Sequence, residues 1–100
     1  MMTCNGYMAG VLDQAKALIT GQRQEDYGTP DENFDRIARL WSVYLNVTIK
    51  PHEVAMMMAL LKISRIAKGG KLDSFVDLAG YTAIAAALHP YAKADTEETI

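Results

Sequence analysis

Gly69-Gly70 separates two stretches that leave this chain few choices of fold. Before it, Val54 to Leu61 is an unbroken apolar run; after it, Leu78 to Leu88 is nearly so. Runs of this length, rich in Ala, Met and Leu, read as helices apolar on most of their surface. Pro51 to Leu88 is therefore a pair of helices joined at the two glycines, and each helix carries charges. Successive residues on a helix turn by about 100°, so Lys62 and Arg65 share one face, while Asp73, Asp77 and Tyr81 form a stripe on the next helix. Charges on helices with little solvent-facing surface are costly unless they pair or hold a ligand or metal.

The rest of the chain is read from the same signals. Met8, Val11, Leu12, Ala15, Leu18 and Ile19 recur with the three-four rhythm of an amphipathic helix that Gly21 weakens or ends. Residues 1–6 show no such rhythm and are expected to be a loose end. Residues 21–30, Gly-Gln-Arg-Gln-Glu-Asp-Tyr-Gly-Thr-Pro, are polar and read as a connection. Within it Tyr27-Gly28 suggests a ring that packs and a close backbone approach. Thr29-Pro30-Asp31-Glu32 then marks a helix start: N-cap, proline at the first helical position and a capping-box glutamate. Phe34, Ile37, Ala38, Trp41, Tyr44 and Leu45 make that helix's apolar face, and Asn46-Val47-Thr48 ends it. Pro51 opens the third helix with Lys50 held extended, and the helix runs to about Lys68. Asp73 is the expected N-cap of a fourth helix that continues to about Leu88. Ala79, Gly80, Ala83 and Ala85 to Ala87 give the fourth helix a surface that another helix can approach closely. It belongs at the centre of a bundle or at a subunit interface. The acidic stretch from Lys93 to Ile100 is expected to fray.

One hundred residues make one domain by size, residues 1–100, with 1–6 and 93–100 as flexible ends. The fold class is all-α, a four-helix bundle-like unit expected to form homo-oligomers, because a chain this small gains stability from oligomerisation. A net charge of −2 argues against a nucleic-acid polymer as partner but leaves room for a small nucleotide. Cys4 is the sole cysteine, so no internal disulfide and no cysteine-based zinc site can form. Leu78 to Leu88 falls short of the roughly 20 residues a membrane span needs, and the first residues lack signal-peptide features. No membrane association is expected.

Several polar residues carry a functional and a structural reading side by side. Asp73 and Asp77 could share a divalent cation, for which oxygen ligands favour Mg²⁺ with Mn²⁺ as substitute. Capping and the helix dipole explain the same residues without a metal. Lys62 and Arg65 could neutralise a phosphate or form an ion-pair network with the aspartates. Asp31, Glu32 and Asp35 cluster at a helix start, where capping competes with ligation. Asn33 could hydrogen-bond a ligand or a neighbouring backbone. His52 reads as a surface residue, and His89 lies beyond a helix C-terminus, where a cation is favoured.

The pattern Arg23-x-x-Asp26-Tyr27-Gly28, Asn33-Phe34-x-x-Ile37-Ala38-x-x-Trp41, Lys62-x-x-Arg65 and Asp73-x-x-x-Asp77-x-x-Gly80-Tyr81 resembles a family of small bacteriophage and prophage proteins of unassigned function. More distantly the chain resembles the all-α nucleoside-triphosphate pyrophosphatases of the MazG type and phage domains associated with nucleotide modification. That resemblance implies an oligomeric four-helix unit that uses Mg²⁺ to cut a nucleoside triphosphate to monophosphate and pyrophosphate. Asp31-Glu32-x-x-Asp35 imitates the Glu-Glu-x-x-Glu motif of those enzymes with two shortened side chains. Asp73-x-x-x-Asp77 stands in for their Glu-x-x-Asp with one extra residue. On this reading Asp73, Asp77 and Glu32 are catalytic, and Asp73, Asp77 and Asp35 hold the metal. Arg23, Tyr27, Asn33, Lys62, Arg65 and Tyr81 bind substrate, and Tyr27 or Trp41 stacks on a base. The setting is the cytoplasm of the bacterial host. Two other functions fit the same residues. One is a non-catalytic protein that sequesters a nucleotide or a signal used in host defence. The other is a small interaction protein in which these charges only fix helix pairing.

Overall fold

The computed structural model describes residues 3–90, apart from the side chain of Gln22; the predicted fraying from Lys93 onward lies outside the described residues. Every regular element in it is helical: α1 (Cys4–Thr20), α2 (Gln22–Tyr27), α3 (Pro30–Leu45), α4 (Pro51–Gly69) and α5 (Leu72–Leu88). The four long helices are the expected ones.

α5 is the hub. It packs along α4, carries α1 on another side and touches α3, which in turn packs on α4. The expectation from its small residues is met most directly at Gly80, where an added Cβ would come within 2.9 Å of Ile19 Cγ2 on α1. The core joins Phe34 and Ala38 of α3, Val54 and Ala55 of α4, and Ile84 and Ala85 of α5. Trp41 and Tyr81 lie against it, partly buried. Phe34 and Val54 are the largest fully buried side chains among the described residues.

Local chemistry accounts for the helix boundaries. The Glu32 backbone N–H donates to Thr29 Oγ1 at 3.4 Å, and the Thr29 hydroxyl donates to Glu32 Oε1 at 3.1 Å, with Pro30 in the first turn. α3 stops at Asn46, whose φ of 55° is the left-handed conformation that Asn tolerates better than most residues. The Lys50 N–H donates to Glu53 Oε1 at 2.9 Å at the start of α4. α4 ends through the Gly70 N–H, which donates to the Ile66 carbonyl at 2.9 Å, next to Gly69 at φ 150°. That φ suits glycine, so the turn between α4 and α5 depends on it.

Three expectations need correction. Residues 1–6 are not all loose, because α1 begins at Cys4 with the Gly6 N–H donating to Thr3 Oγ1 at 3.0 Å. The polar segment after Gly21 is not merely a connection, since residues 22–27 form α2. Asp73 is not an N-cap. Lys71 occupies that position, and Asp73 falls in the first turn of α5, where its charge still complements the positive helix end.

Candidate functional site

α2 owes its placement to a side chain. Gln24 Nε2 donates to the Ile19 carbonyl at 3.1 Å, folding α2 back onto the end of α1. This sets Arg23 over two rings at once: its guanidinium carbon is 5.5 Å from the centroid of Tyr27, one turn along α2, and 5.6 Å from that of Tyr81 on α5. Both distances are within cation–π range. Tyr81 is itself anchored edge-on against Phe34, with centroids 6.4 Å apart.

Across from Arg23, Lys62 Nζ of α4 meets Asp77 Oδ2 of α5 at 2.9 Å. Arg23, Lys62, Asp77 and Tyr81 line one cleft of about 260 Å³, floored by Gly80 and Ile84 and walled by Leu18 and Ile19. A wider hollow of about 610 Å³ adjoins it, sharing Leu18, Arg23 and Asp77 and adding Gln14, Ala17, Asp73 and Val76. Gly80 matters here: with no side chain on α5, α1 sits close enough to wall the cleft.

The structure thus gathers five of the residues singled out in the sequence: Arg23, Lys62, Asp73, Asp77 and Tyr81 line these hollows, and Tyr27 stacks beside them. Others lie elsewhere. Arg65 is exposed and lines neither hollow. Glu32 is engaged in capping by Thr29. Asp35 pairs with Arg39 at 3.0 Å on an exposed stretch of α3. Asn33 is buried, and its Oδ1 accepts from Arg36 Nη2 at 3.3 Å while the same nitrogen donates to the Tyr27 carbonyl at 3.3 Å. Asn33 and Arg36 therefore clamp the end of α2 to α3. Trp41 packs on the core. Among the described residues, no three His, Cys, Asp or Glu side chains gather so as to hold a metal ion, so Asp35, Asp73 and Asp77 do not form one such set.

Two arrangements escape sequence reading. Gln24 looks like one more polar residue of a connection, although it docks α2. His52 and His89 sit 37 positions apart, yet their rings meet at 4.9 Å between centroids where α4 begins and α5 ends. No spacing rule could have paired them.

The family described as "Domain of unknown function (DUF6378)" matches residues 10–89, a span that holds every residue of the two hollows. The chain belongs to this family. Two relatives come from mycobacteriophages, in line with the resemblance to phage proteins. The Gene 55 protein of Mycobacterium phage L5 is 46% identical over 76 residues, which cover 74% of this chain and 49% of the phage protein. The Gene 55 protein of Mycobacterium phage D29 is 47% identical over 72 residues, covering 71% and 48%. The DUF6378 chain therefore spans about half the length of the curated relatives it matches. No solved structure matches it. Among its described residues, no helix is long and apolar enough to cross a membrane.

Proposed function

We propose that the cleft between α1, α2, α4 and α5 binds a nucleoside phosphate in the cytoplasm of a phage-infected host. The observation that carries this reading is the convergence of Arg23, Lys62, Asp77 and Tyr81 from three helices on one cleft. Two cations, one of them a planar guanidinium, suit phosphate oxygens. Tyr27 and Tyr81 supply aromatic surface beside them on which a base could lie. The residues also fit a Mg²⁺ ion, which is commonly held by one or two carboxylates together with substrate phosphates and water. Asp73 and Asp77 both line the wider hollow and would hold it. Mg²⁺ would supply charge neutralisation on the phosphates and polarisation of a water. The favoured form of the activity is Mg²⁺-dependent hydrolysis of a MazG-like kind, yielding monophosphate and pyrophosphate.

A second reading is a protein that sequesters the nucleotide without cutting it. It is favoured by the want of a third clustered carboxylate among the described residues. A phosphorus NMR series with Mg²⁺ and a panel of ribo- and deoxynucleoside phosphates separates the two. New monophosphate and pyrophosphate signals are expected for the enzyme. Shifted or broadened signals without products, insensitive to a chelator, mark the sequestering protein. A spectrum unchanged across the panel overturns both and leaves the charges as helix-pairing groups.

A further inference from the structure

The backbone joins α4 to α5 at one end of their hairpin, the turn at Gly69-Gly70. The other end is open, with α4 beginning at Pro51 and α5 finishing at Leu88. The antiparallel register that sets Lys62 against Asp77 also sets His52, in the first turn of α4, against His89, the residue that follows α5. Their ring centroids lie 4.9 Å apart, with the ring planes at 62°. These are the two histidines of the chain, and both are at this open end.

Packing alone is a poor account of the contact. His52 is half-buried and His89 exposed, and neither ring belongs to the core. An edge-on contact between two such rings takes little apolar surface from water. The rings also repel each other whenever both carry a proton. A shared metal ion turns that repulsion into attraction. Imidazole is the commonest protein ligand of transition metals and suits Zn²⁺, Ni²⁺ and Cu²⁺. With metal–nitrogen bonds of about 2.0–2.1 Å at square to tetrahedral angles, two imidazoles on one ion have centroids about 4.5–5.2 Å apart. The spacing of His52 and His89 falls inside that range. Rotation about χ2 turns a nitrogen of each ring toward the shared side while the backbone stays in place.

We infer that His52 and His89 form a site for a transition-metal ion of the Zn²⁺ class, which staples the open end of the α4–α5 hairpin. No third His, Cys, Asp or Glu joins them among the described residues. Water therefore completes the coordination, and the ion exchanges freely with solution. The site is distinct from the one proposed for Mg²⁺ at Asp73 and Asp77. Nitrogen ligands select against Mg²⁺, which takes oxygen, and Lys62 lies about 15 Å along α4 from His52. The inference stands or falls apart from the nucleotide reading.

Isothermal titration of untagged Cys4→Ser protein with zinc chloride tests it. The substitution removes the one thiol, and excess magnesium chloride keeps the carboxylates occupied. One Zn²⁺ per chain is expected, with affinity at least about tenfold weaker in His52→Ala and in His89→Ala alike. Both positions lie outside the core, so the variants should keep the parent's helical circular dichroism. Thermal unfolding gives a second readout. Zn²⁺ held by the folded chain should raise the parent's Tm, the rise should shrink in either variant, and a chelator should reverse it. No Zn²⁺ binding, affinity that survives either substitution, one Zn²⁺ shared between two chains, or a Tm indifferent to Zn²⁺ overturns the inference.

Discussion

Lys62 on α4 and Asp77 on α5 meet at 2.9 Å across the helical hairpin, with only 14% and 28% of their side chains exposed. The turn at Gly69-Gly70 brings these positions level, and the contact is shielded enough for partner loss to matter. Breaking a sheltered ion pair by removing one member leaves the other charge stranded, whereas replacing both with apolar groups is often close to neutral. Asp77→Asn and Lys62→Met are each expected to lower stability by about 1–2 kcal/mol, discounted from the fully buried case for the remaining exposure. The double change Lys62→Met/Asp77→Leu is expected to recover most of that loss. Urea unfolding of the four proteins measures it, and losses that simply add would show that the pair is not coupled. The same double variant should lose nucleotide binding altogether, because stability and function part company at this contact.

Gly80 sets how near α1 can come. Even a single carbon added there would lie 2.9 Å from Ile19 Cγ2. The obstacle is the γ2 methyl of Ile19, which sits on a β-branched carbon and moves only if χ1 or α1 itself shifts, while alanine gains helix propensity over glycine by about 1 kcal/mol. The two effects oppose each other, so Gly80→Ala should cost about 0–2 kcal/mol. Gly80→Leu adds far more bulk at the same contact. It is expected to cost about 1–3 kcal/mol by overpacking and to push α1 and α2 away from α5. Loss of nucleotide binding in Gly80→Leu, with α4 and α5 still helical by circular dichroism, is the expected result. Retained binding would mean that α1 does not shape the cleft.

These two cases also show what can be read from residues alone. Helix ends governed by neighbours in sequence were legible: Thr29 with Glu32, Asn46, Lys50 before Pro51, and Gly69-Gly70 all act as their local chemistry dictates. The small-residue face of α5 was legible too, because only a close partner makes sense of so much alanine and glycine on one helix. α2 was not. Six polar residues carry no apolar rhythm, and the helix is held by Gln24 reaching the Ile19 carbonyl, a contact no periodicity encodes. The cleft was half legible. Spacing by four put Asp73, Asp77 and Tyr81 on one stripe, and the spacing of three between Lys62 and Arg65 suggested that both belong to it. In the fold only Lys62 turns to Asp77, since α4 buries the face of Ala55, Ala59 and Lys62 and leaves Arg65 exposed.

Ser42 occupies an unremarked position on α3 and holds the α3–α4 link in place. Its hydroxyl donates to the Ala38 carbonyl at 2.6 Å, and its oxygen accepts the Ile49 N–H at 2.8 Å. Ser42→Ala removes the acceptor for a partly buried backbone N–H, which costs about 1–3 kcal/mol when the group is left unsatisfied. Thermal unfolding is expected to register that loss, and hydrogen exchange at the Ile49 amide should quicken. An unchanged exchange rate at Ile49 would show that the link is held by other contacts.

Arg23 is the residue on which the nucleotide reading turns most sharply, because two tyrosine rings hold it and its planar group does two jobs. It lies over Tyr27 and Tyr81 at 5.5 and 5.6 Å, and it borders both hollows. A lysine in its place keeps the charge but offers a point cation, without the flat face that stacks or the fork that grips phosphate in two places. Arg23→Lys is expected to weaken nucleotide binding by about tenfold, and Arg23→Met by more, since it removes the charge as well. Stability should fall by no more than about 1 kcal/mol in either, the scale of a half-exposed cation–π contact. Isothermal titration with the nucleotide found by phosphorus NMR, run beside urea unfolding, checks both halves. Equal affinity in all three proteins would place the ligand away from α2. A large stability loss with unchanged affinity would make Arg23 a purely structural clamp between α2 and α5.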